Sequence, residues 1–350
     1  MIAKHFIMSI GIFTITGFLT LSCDNVTSSS GSTDNANNIE SIAGKANSNK
    51  TTSALSTCKN AGDTGMTAVY VNQSLKDVTI DFDNHNCDMA IYFDENAPRK
   101  ASVRNTTVIQ ETGDSGESTG VWNNGADVTV TRSTFITDFS GRFVPIRFDE
   151  GAKGTISSNE LTGTHRVGIL ARGTETSVGI KSNSIVGSGA KTSGWAENGI
   201  QIDQGAAAEV INNEITGHWW DGESNFGSTA LLILGTNSKV TNNTLHNNEF
   251  SIYLVGNDNR VTGNRTSSEI ESQSSYNFKA YGALVGGSDN HLAGNNFNSE
   301  ESTGAIGVYV FPGTSENNIT GNRINGFDTF LYDGGDDSMI RGTPAPPQEI

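Results

Sequence analysis

The chain of 350 residues carries 22 Lys and Arg against 38 Asp and Glu, a formal net charge of −16, with 40 Gly and 6 Pro. That acidic balance excludes nucleic acid and anionic membrane surfaces as partners, since both would be repelled, and it fits an exported protein kept soluble by self-repulsion. The length would suit two ordinary domains, but a solenoid of stacked repeats can run as one.

Residues 1–23 read as a targeting segment. Lys4 and His5 precede an apolar run from Phe6 to Leu21, which is short for a membrane span and suited to a signal core. The run ends Leu19, Thr20, Leu21, Ser22, Cys23, which resembles a bacterial lipoprotein signal, with Thr20 where Leu is usual. The resemblance implies that Cys23 is lipidated and becomes the first mature residue, so the membrane is reached only through a lipid anchor. An ordinary cleaved signal and an uncleaved anchor are the alternatives. The expected location is the cell envelope outside the cytoplasm, periplasmic or on the cell surface, or else secretion.

Residues 24–57 are Ser, Thr, Asn, Gly and Ala with scattered charge, too poor in large apolar side chains to offset ordering entropy, and are expected to be a disordered tether. If Cys23 carries lipid, Cys58 and Cys87 remain as a pair in an oxidising compartment. A disulfide there would staple the first strands into a cap, and two free buried thiols are the alternative. The tail, 342–350, holds Pro344, Pro346 and Pro347 and is expected to be loose.

The body, 58–341, is built on one recurring pattern: an aliphatic residue, two residues, a slot usually filled by Asn, one residue, then usually an apolar residue. It runs through Ile156, Asn159 and Leu161, and recurs with Asn183, Asn213, Asn243, Asn264, Asn295 and Asn322 in the slot; Thr106 and Ser133 fill it in two earlier copies. Successive slots are 27, 26, 24, 30, 30, 21, 31 and 27 residues apart. A short β-like run precedes each copy, as in Gly199–Ile202 or Gly307–Val310. Short alternating strands at a period in the twenties predict a solenoid of sheets; a propeller blade needs about 40 residues, and a sandwich has no reason to repeat one motif in one phase. Stacked coils bring equivalent positions about 4.8 Å apart, so an inward Asn at a turn can bond the Asn above and below it. The fold class expected is all-β, a single-stranded right-handed parallel β-helix of about ten to eleven coils.

The copies Ile319 to Ile324 and Val261 to Asn264 resemble the parallel β-helix repeats of the pectate lyase-like superfamily (the pectin lyase fold), over roughly Thr67 to Arg341. The resemblance implies the fold rather than an activity, because that superfamily includes lyases, hydrolases, epimerases, phage tailspikes and surface proteins. The polygalacturonase-type Asn-Thr-Asp, Asp-Asp and Gly-His-Gly set is missing here, as is the Asp-Pro-His motif of alginate epimerases.

Strand alternation predicts two outward columns on one sheet. One reads Tyr92, Trp122, Arg147, Leu170, Gln201, Leu232, Tyr253, Leu284, Tyr309; its neighbour reads Asp94, Asn124, Asp149, Arg172, Asp203, Leu234, Val255, Gly286, Phe311. Arg147, Asp149, Arg172, Gln201 and Asp203 fall together, with His165 just upstream. Long connections at Ser188–Asn198, Gly217–Ser228 and Ser267–Tyr281 bring Trp195, His218, Trp219, Trp220 and Tyr281, which could wall a groove over the charged patch. Flat indole faces suit sugar rings, and Arg147 or Arg172 could clamp a uronate carboxylate. A lyase would need an Arg or His as base, and a hydrolase a pair of acids, for which Asp149 and Asp203 are nearest. Each feature also has a plain reading: the charges as a cross-strand ion-pair ladder, Trp219 and Trp220 as loop packing, and His165 and His218 as turn or surface residues.

The function expected is binding of a polysaccharide by an exported monomer, with cleavage as lyase or glycoside hydrolase left open. The alternative is a non-enzymatic adhesin or structural rod. No cofactor is expected. Asp333, Asp336 and Asp337 invite a calcium reading, but they lie at the fraying end and lack the Gly-Gly-x-Gly-x-Asp repeat.

Overall fold

The computed structural model describes residues 58–82, 85–110, 117–137, 142–191, 195–220, 227–269, 280–300 and 305–343. Cys23, the targeting segment, the polar tether and residues 344–350 lie outside the described residues. Among the described residues, no helix is long and apolar enough to cross a membrane.

The described chain is a right-handed parallel β-helix. It winds through three sheets in turn, here called A, B and C, with 12, 11 and 10 strands respectively. One winding shows the pattern: Val167–Arg172 in sheet A, Ser177–Lys181 in sheet B, Ser184–Lys191 in sheet C, then Asn198–Asp203 back in sheet A. Every recorded strand pairing but one is parallel; the exception joins Lys59–Asn60 to Thr67–Val71 at the N-terminal end.

Alternation explains the core. In the winding above, Ile169, Ala171, Ile180 and Ile185 are fully buried and Val178 nearly so, while the residues between them in sheets B and C reach the surface. Each large aliphatic side chain removed from water contributes about 1.5–3 kcal/mol before chain entropy is subtracted, so stability accumulates coil by coil.

The corner from sheet B to sheet C takes two residues. The first adopts a left-handed backbone: Asn105, Arg132, Ser158, Ser182, Asn212 and Asn242 have φ between 48° and 56°, and Gly263, Gly294 and Gly321 fill the same place at 61–68°. The second is the Asn slot, and the expected ladder is there. Asn183 donates both its backbone N–H and its Nδ2 to Asn213 Oδ1 at 2.9 Å, and Nδ2 also to Ile156 O at 3.0 Å. The same set recurs at Asn159, Asn213, Asn243, Asn264 and Asn295. The ladder starts where Thr106 N–H meets Ser133 Oγ and ends where Asn322 N–H meets Thr343 Oγ1.

A second ladder occupies the corner from sheet A to sheet B. Ser238, Asn259 and Asn290 donate backbone N–H groups to Asn259, Asn290 and Asn317 Oδ1 at 2.9–3.0 Å. Their signal was present in the sequence, as Asn two residues ahead of Val261, Leu292 and Ile319.

At the N-terminal end a disulfide joins Cys58 to Cys87, with Cα atoms 5.6 Å apart. The turn Gly62–Thr64 and the antiparallel strand sit beside it. There Ala61, Ala68, Met89 and Tyr92 form a small cluster of their own, with Met66, Val71 and Trp122 packed against it.

Candidate functional site

Sheet A aligns its strands so that the first outward column falls in register, from Tyr92 through Trp122, Arg147, Leu170 and Gln201 to Leu232. It continues through Tyr253, Leu284 and Tyr309 to Tyr332, one residue further than the sequence reading carried it. The face is not uniformly open. Tyr92 is 1% exposed, because the N-terminal turn packs over it. Leu170 is covered too, forming a small cluster with Val144 and Val167.

The charged cluster forms on the strands Arg142–Asp149 and Val167–Arg172. Arg147 lies with its guanidinium carbon 4.0 Å from the Trp122 ring centroid. Its Nε donates to Asp149 Oδ2 at 2.6 Å, and Arg172 Nε lies 3.7 Å from Asp149 Oδ1. Side-chain exposure separates the three: 12% for Arg147, 2% for Asp149 and 35% for Arg172. Burial pushes the Asp149 carboxyl above its ordinary pKa, against the opposing pull of Arg147 and then Arg172. The expectation that Asp149 faces outward is therefore corrected: its carboxylate is enclosed, bonded to Arg147 and close to Arg172.

Asp203 is engaged as well. Its Oδ2 accepts from Gln201 Nε2 at 3.2 Å and its Oδ1 from Gln204 N–H at 2.6 Å. Asn198 in turn donates to Gln201 Oε1 at 3.2 Å, so the row Asn198, Gln201, Asp203 is a polar chain lying along one strand.

His165 and His218 overturn their expectation. Neither is a turn or surface residue; both are fully buried, and their Nε2 atoms meet at 2.9 Å inside the corner between sheets C and A. His165 thus does not reach the outer face as a base, and His218 does not reach it as a sugar ligand. Burial lowers the His218 pKa to about 4, with the Asn248 hydrogen bond opposing.

Trp219 and Trp220 are likewise not loop residues. They end the strand Glu214–Trp220 of sheet C, opposite Ala190 and Lys191, beyond a register shift between Val186 and Gly189. Trp220 is 2% exposed, with its N–H held by Glu249 Oε2 at 3.0 Å. The same oxygen accepts from Ser228 N–H at 2.8 Å, which sets Trp220 at the entry of the strand Thr229–Ile233. Arg172 and Asp203 end their own strands. At about 3.3 Å per residue, the width of sheet A puts roughly 20 Å of backbone between them and Trp220. The structure therefore does not bring these indoles to the charged patch. Trp195 is half-buried ahead of Asn198–Asp203. Asp221, Phe226, Tyr276 and Phe278 lie outside the described residues.

Aromatic side chains occupy the other half of the face. Tyr309 stacks on Tyr332 with centroids 4.6 Å apart, and Tyr253 lies nearly parallel to Phe311 at 6.2 Å. Phe250 contacts the edges of Tyr253 and Tyr281 at 6.3 and 5.4 Å. Tyr332, 44% exposed, ends the row on the last strand of sheet A. Tyr332 continues the column in plain alternation; Phe250 faces out at a strand entry, where alternation alone does not place it.

Among the described residues no group of three or more His, Cys, Asp or Glu is arranged to hold a metal ion. Asp333 Oδ1 instead accepts from Gly335 N–H at 3.1 Å and Ser338 Oγ at 3.2 Å, closing a turn.

Residues 146–269 match the family described as "Right handed beta helix region". Among solved structures, DFA-IIIase from Arthrobacter chlorophenolicus A6 in complex with GF2 is similar at 17% identity, covering 75% of this chain and 68% of that one with a TM-score of 0.51. The same protein in complex with DFA-III is 15% identical over 75% and 70%, with a TM-score of 0.48. At these identities the likeness is one of fold. No curated protein sequence matches this chain.

Proposed function

We propose that this right-handed parallel β-helix is an exported protein that binds a carbohydrate chain along the outer face of sheet A. The observation that carries the reading is the single row on that face. Trp122 under Arg147 and then Gln201, with half-exposed Arg172 in the neighbouring column, lead into Tyr253, Tyr309 and Tyr332 on later strands. Eight strand spacings separate the strand of Trp122 from that of Tyr332. At about 4.8 Å each, the row is roughly 38 Å long, a length suited to an extended chain rather than to a small molecule.

The chemistry matches that shape. Tyrosine and tryptophan rings offer flat apolar surface to the C–H faces of sugars and polar edges to their hydroxyls. Arg172 retains exposed guanidinium surface and would seat a sugar carboxylate where one is present. The net charge of −16 repels a polyanion at long range, but that field is screened beyond about 8 Å at physiological salt, so neutral and lightly acidic chains are both compatible with the face. The crystal of DFA-IIIase in complex with GF2 supports a ligand-presenting use of this scaffold.

Binding is favoured over cleavage because Asp149 is enclosed, Asp203 is doubly hydrogen-bonded and His165 is interior. A rigid adhesin that displays the same face to a host or neighbouring cell glycan is a variant of this reading, and a purely structural rod is the competing one. The signal-like segment ending at Cys23 supports attachment to the cell envelope through a lipid; radiolabelled lipid precursor should enter the protein and fail to enter Cys23→Ala.

The test is a glycan array of neutral and acidic polysaccharides, followed by affinity measurement and an ultraviolet product assay on each hit. Trp122→Ala, Arg172→Ala and Tyr332→Ala should each weaken binding severalfold or more without release of product. Binding that survives all three substitutions, or an array with no hit, overturns the reading.

A further inference from the structure

Behind the candidate face, the meeting of His165 and His218 has tautomers that can be assigned from their neighbours. Asn248 Nδ2 donates to Ile215 O at 3.0 Å and to His246 O at 2.8 Å, so the amide orientation is set and Oδ1 is left as an acceptor. His218 Nδ1, 3.1 Å from that Oδ1, must carry a hydrogen. Neutral His218 then presents a bare Nε2, and the hydrogen between the rings belongs to His165 Nε2. One more proton on His218 would place a charge in a dry interior, and it would set two N–H groups against each other at 2.9 Å unless His165 moved its own hydrogen to Nδ1.

The pair is wired to the strand entries of sheet A. His218 N–H also donates to Asn248 Oδ1 at 3.1 Å, and its carbonyl accepts from Glu249 N–H at 2.9 Å. The buried Glu249 carboxylate holds both Trp220 and Ser228, and Glu249 directly precedes Phe250, which packs on Tyr253 and Tyr281. The other ionisable groups at this corner are engaged: Glu197 accepts from Ser188 N–H and Oγ at 3.1 and 2.8 Å, and Arg166 donates to Ala196 O at 2.7 Å.

We infer that the His165–His218 pair is an acid-sensitive latch, in which protonation of His218 parts the two rings and loosens the Asn248, Glu249 and Trp220 contacts that hold Phe250 in the aromatic row. Its consequence for ligand, weaker binding in acid, rests on the carbohydrate-binding reading; the latch itself does not. Burial as the leading influence on His218 agrees with a ring kept neutral until the medium is well acidic.

The latch is tested without ligand, on the full chain, by nuclear magnetic resonance of ¹³C-labelled histidine and by hydrogen exchange from pH 7.5 to 4. His218 should be a neutral Nδ1–H tautomer at pH 7. As it titrates, exchange in 214–220 and 246–250, corrected for the intrinsic pH effect, should rise at least tenfold while 177–181 in sheet B stays protected. His218→Gln, which cannot take up the proton, should hold those segments closed. Titration of His218 near 6.5 with no change in exchange, or acid loosening that persists in His218→Gln, overturns the latch. If the variant fails to fold, titration and exchange in the wild-type chain decide alone. Failure to find a glycan ligand would leave these outcomes unaffected.

Discussion

Arg147 stacks its guanidinium on Trp122 at 4.0 Å while donating from Nε to Asp149 at 2.6 Å. One side chain thus joins an aromatic surface to a buried carboxylate, and the same carboxylate draws in Arg172 from the next strand at 3.7 Å. A buried ion pair contributes little net stability when intact, but removal of one partner strands the other charge. The position of Arg172 on the surface thus depends on a network whose centre is out of solvent.

Arg147→Ala should therefore destabilise the protein by about 2 kcal/mol at pH 7, below the usual 3–5 for a broken buried pair because Arg172 remains beside Asp149. The sign with pH follows from Asp149. Its folded pKa lies above the unfolded value, so its cost is present at neutral pH and is relieved as pH falls through the folded pKa. Urea unfolding at pH 7 and pH 4 should show the smaller penalty in acid.

The ladder predicts a dependence on position. Asn213→Ala removes the bonds from Nδ2 to Ile180 O and Asn243 Oδ1 and leaves Asn183 N–H and Nδ2 without their acceptor. At about 1 kcal/mol per bond and more for each buried donor left unmet, the loss is on the order of 3–4 kcal/mol. Asn322→Ala, at the end of the ladder, should cost less. Thermal unfolding midpoints of the two variants give the comparison.

At the sheet B to C corner, Gly294 has a φ of 62° and open space where a Cβ would go. Asn occupies the equivalent place at Asn212 and Asn242. Gly294→Asn should change stability by less than about 0.5 kcal/mol, whereas Gly294→Val should cost about 1–2 kcal/mol from backbone strain alone. Equal effects of the two substitutions in denaturant unfolding would contradict the assignment.

His218 supplies an acid limit. Its folded pKa of about 4 lies below the ordinary 6.5, so the unfolded chain binds the proton first and stability falls as pH drops from 6.5 to 4, then levels. At about 1.4 kcal/mol per pH unit the loss is on the order of 3 kcal/mol. His218→Gln should flatten that part of the stability profile, with the opposite trend from Asp149 still visible.

Period and alternation were enough to read the scaffold and part of the face. The slots from Asn159 to Asn322 recur because stacking superposes equivalent positions, and Trp122, Arg147, Gln201, Tyr253 and Tyr309 fall into one column for the same reason. The second ladder is faint in the sequence because its Asn residues span only three coils. Ser182 and Asn212 gave no outward sign of their left-handed backbone, because the residue type varies at that place from coil to coil.

The sequence by itself determined the winding, the slot ladder and which strands share a sheet, since these depend on a pattern repeated in every coil. Only the tertiary structure decided that His165, His218 and Trp220 point inward, that Asp149 is enclosed, and that Phe250 joins the aromatic row. Alternation carries information along a single strand only. At the corner from sheet C to sheet A, a register shift between Val186 and Gly189 resets it, and the burial of each side chain there depends on what the neighbouring coils place against it.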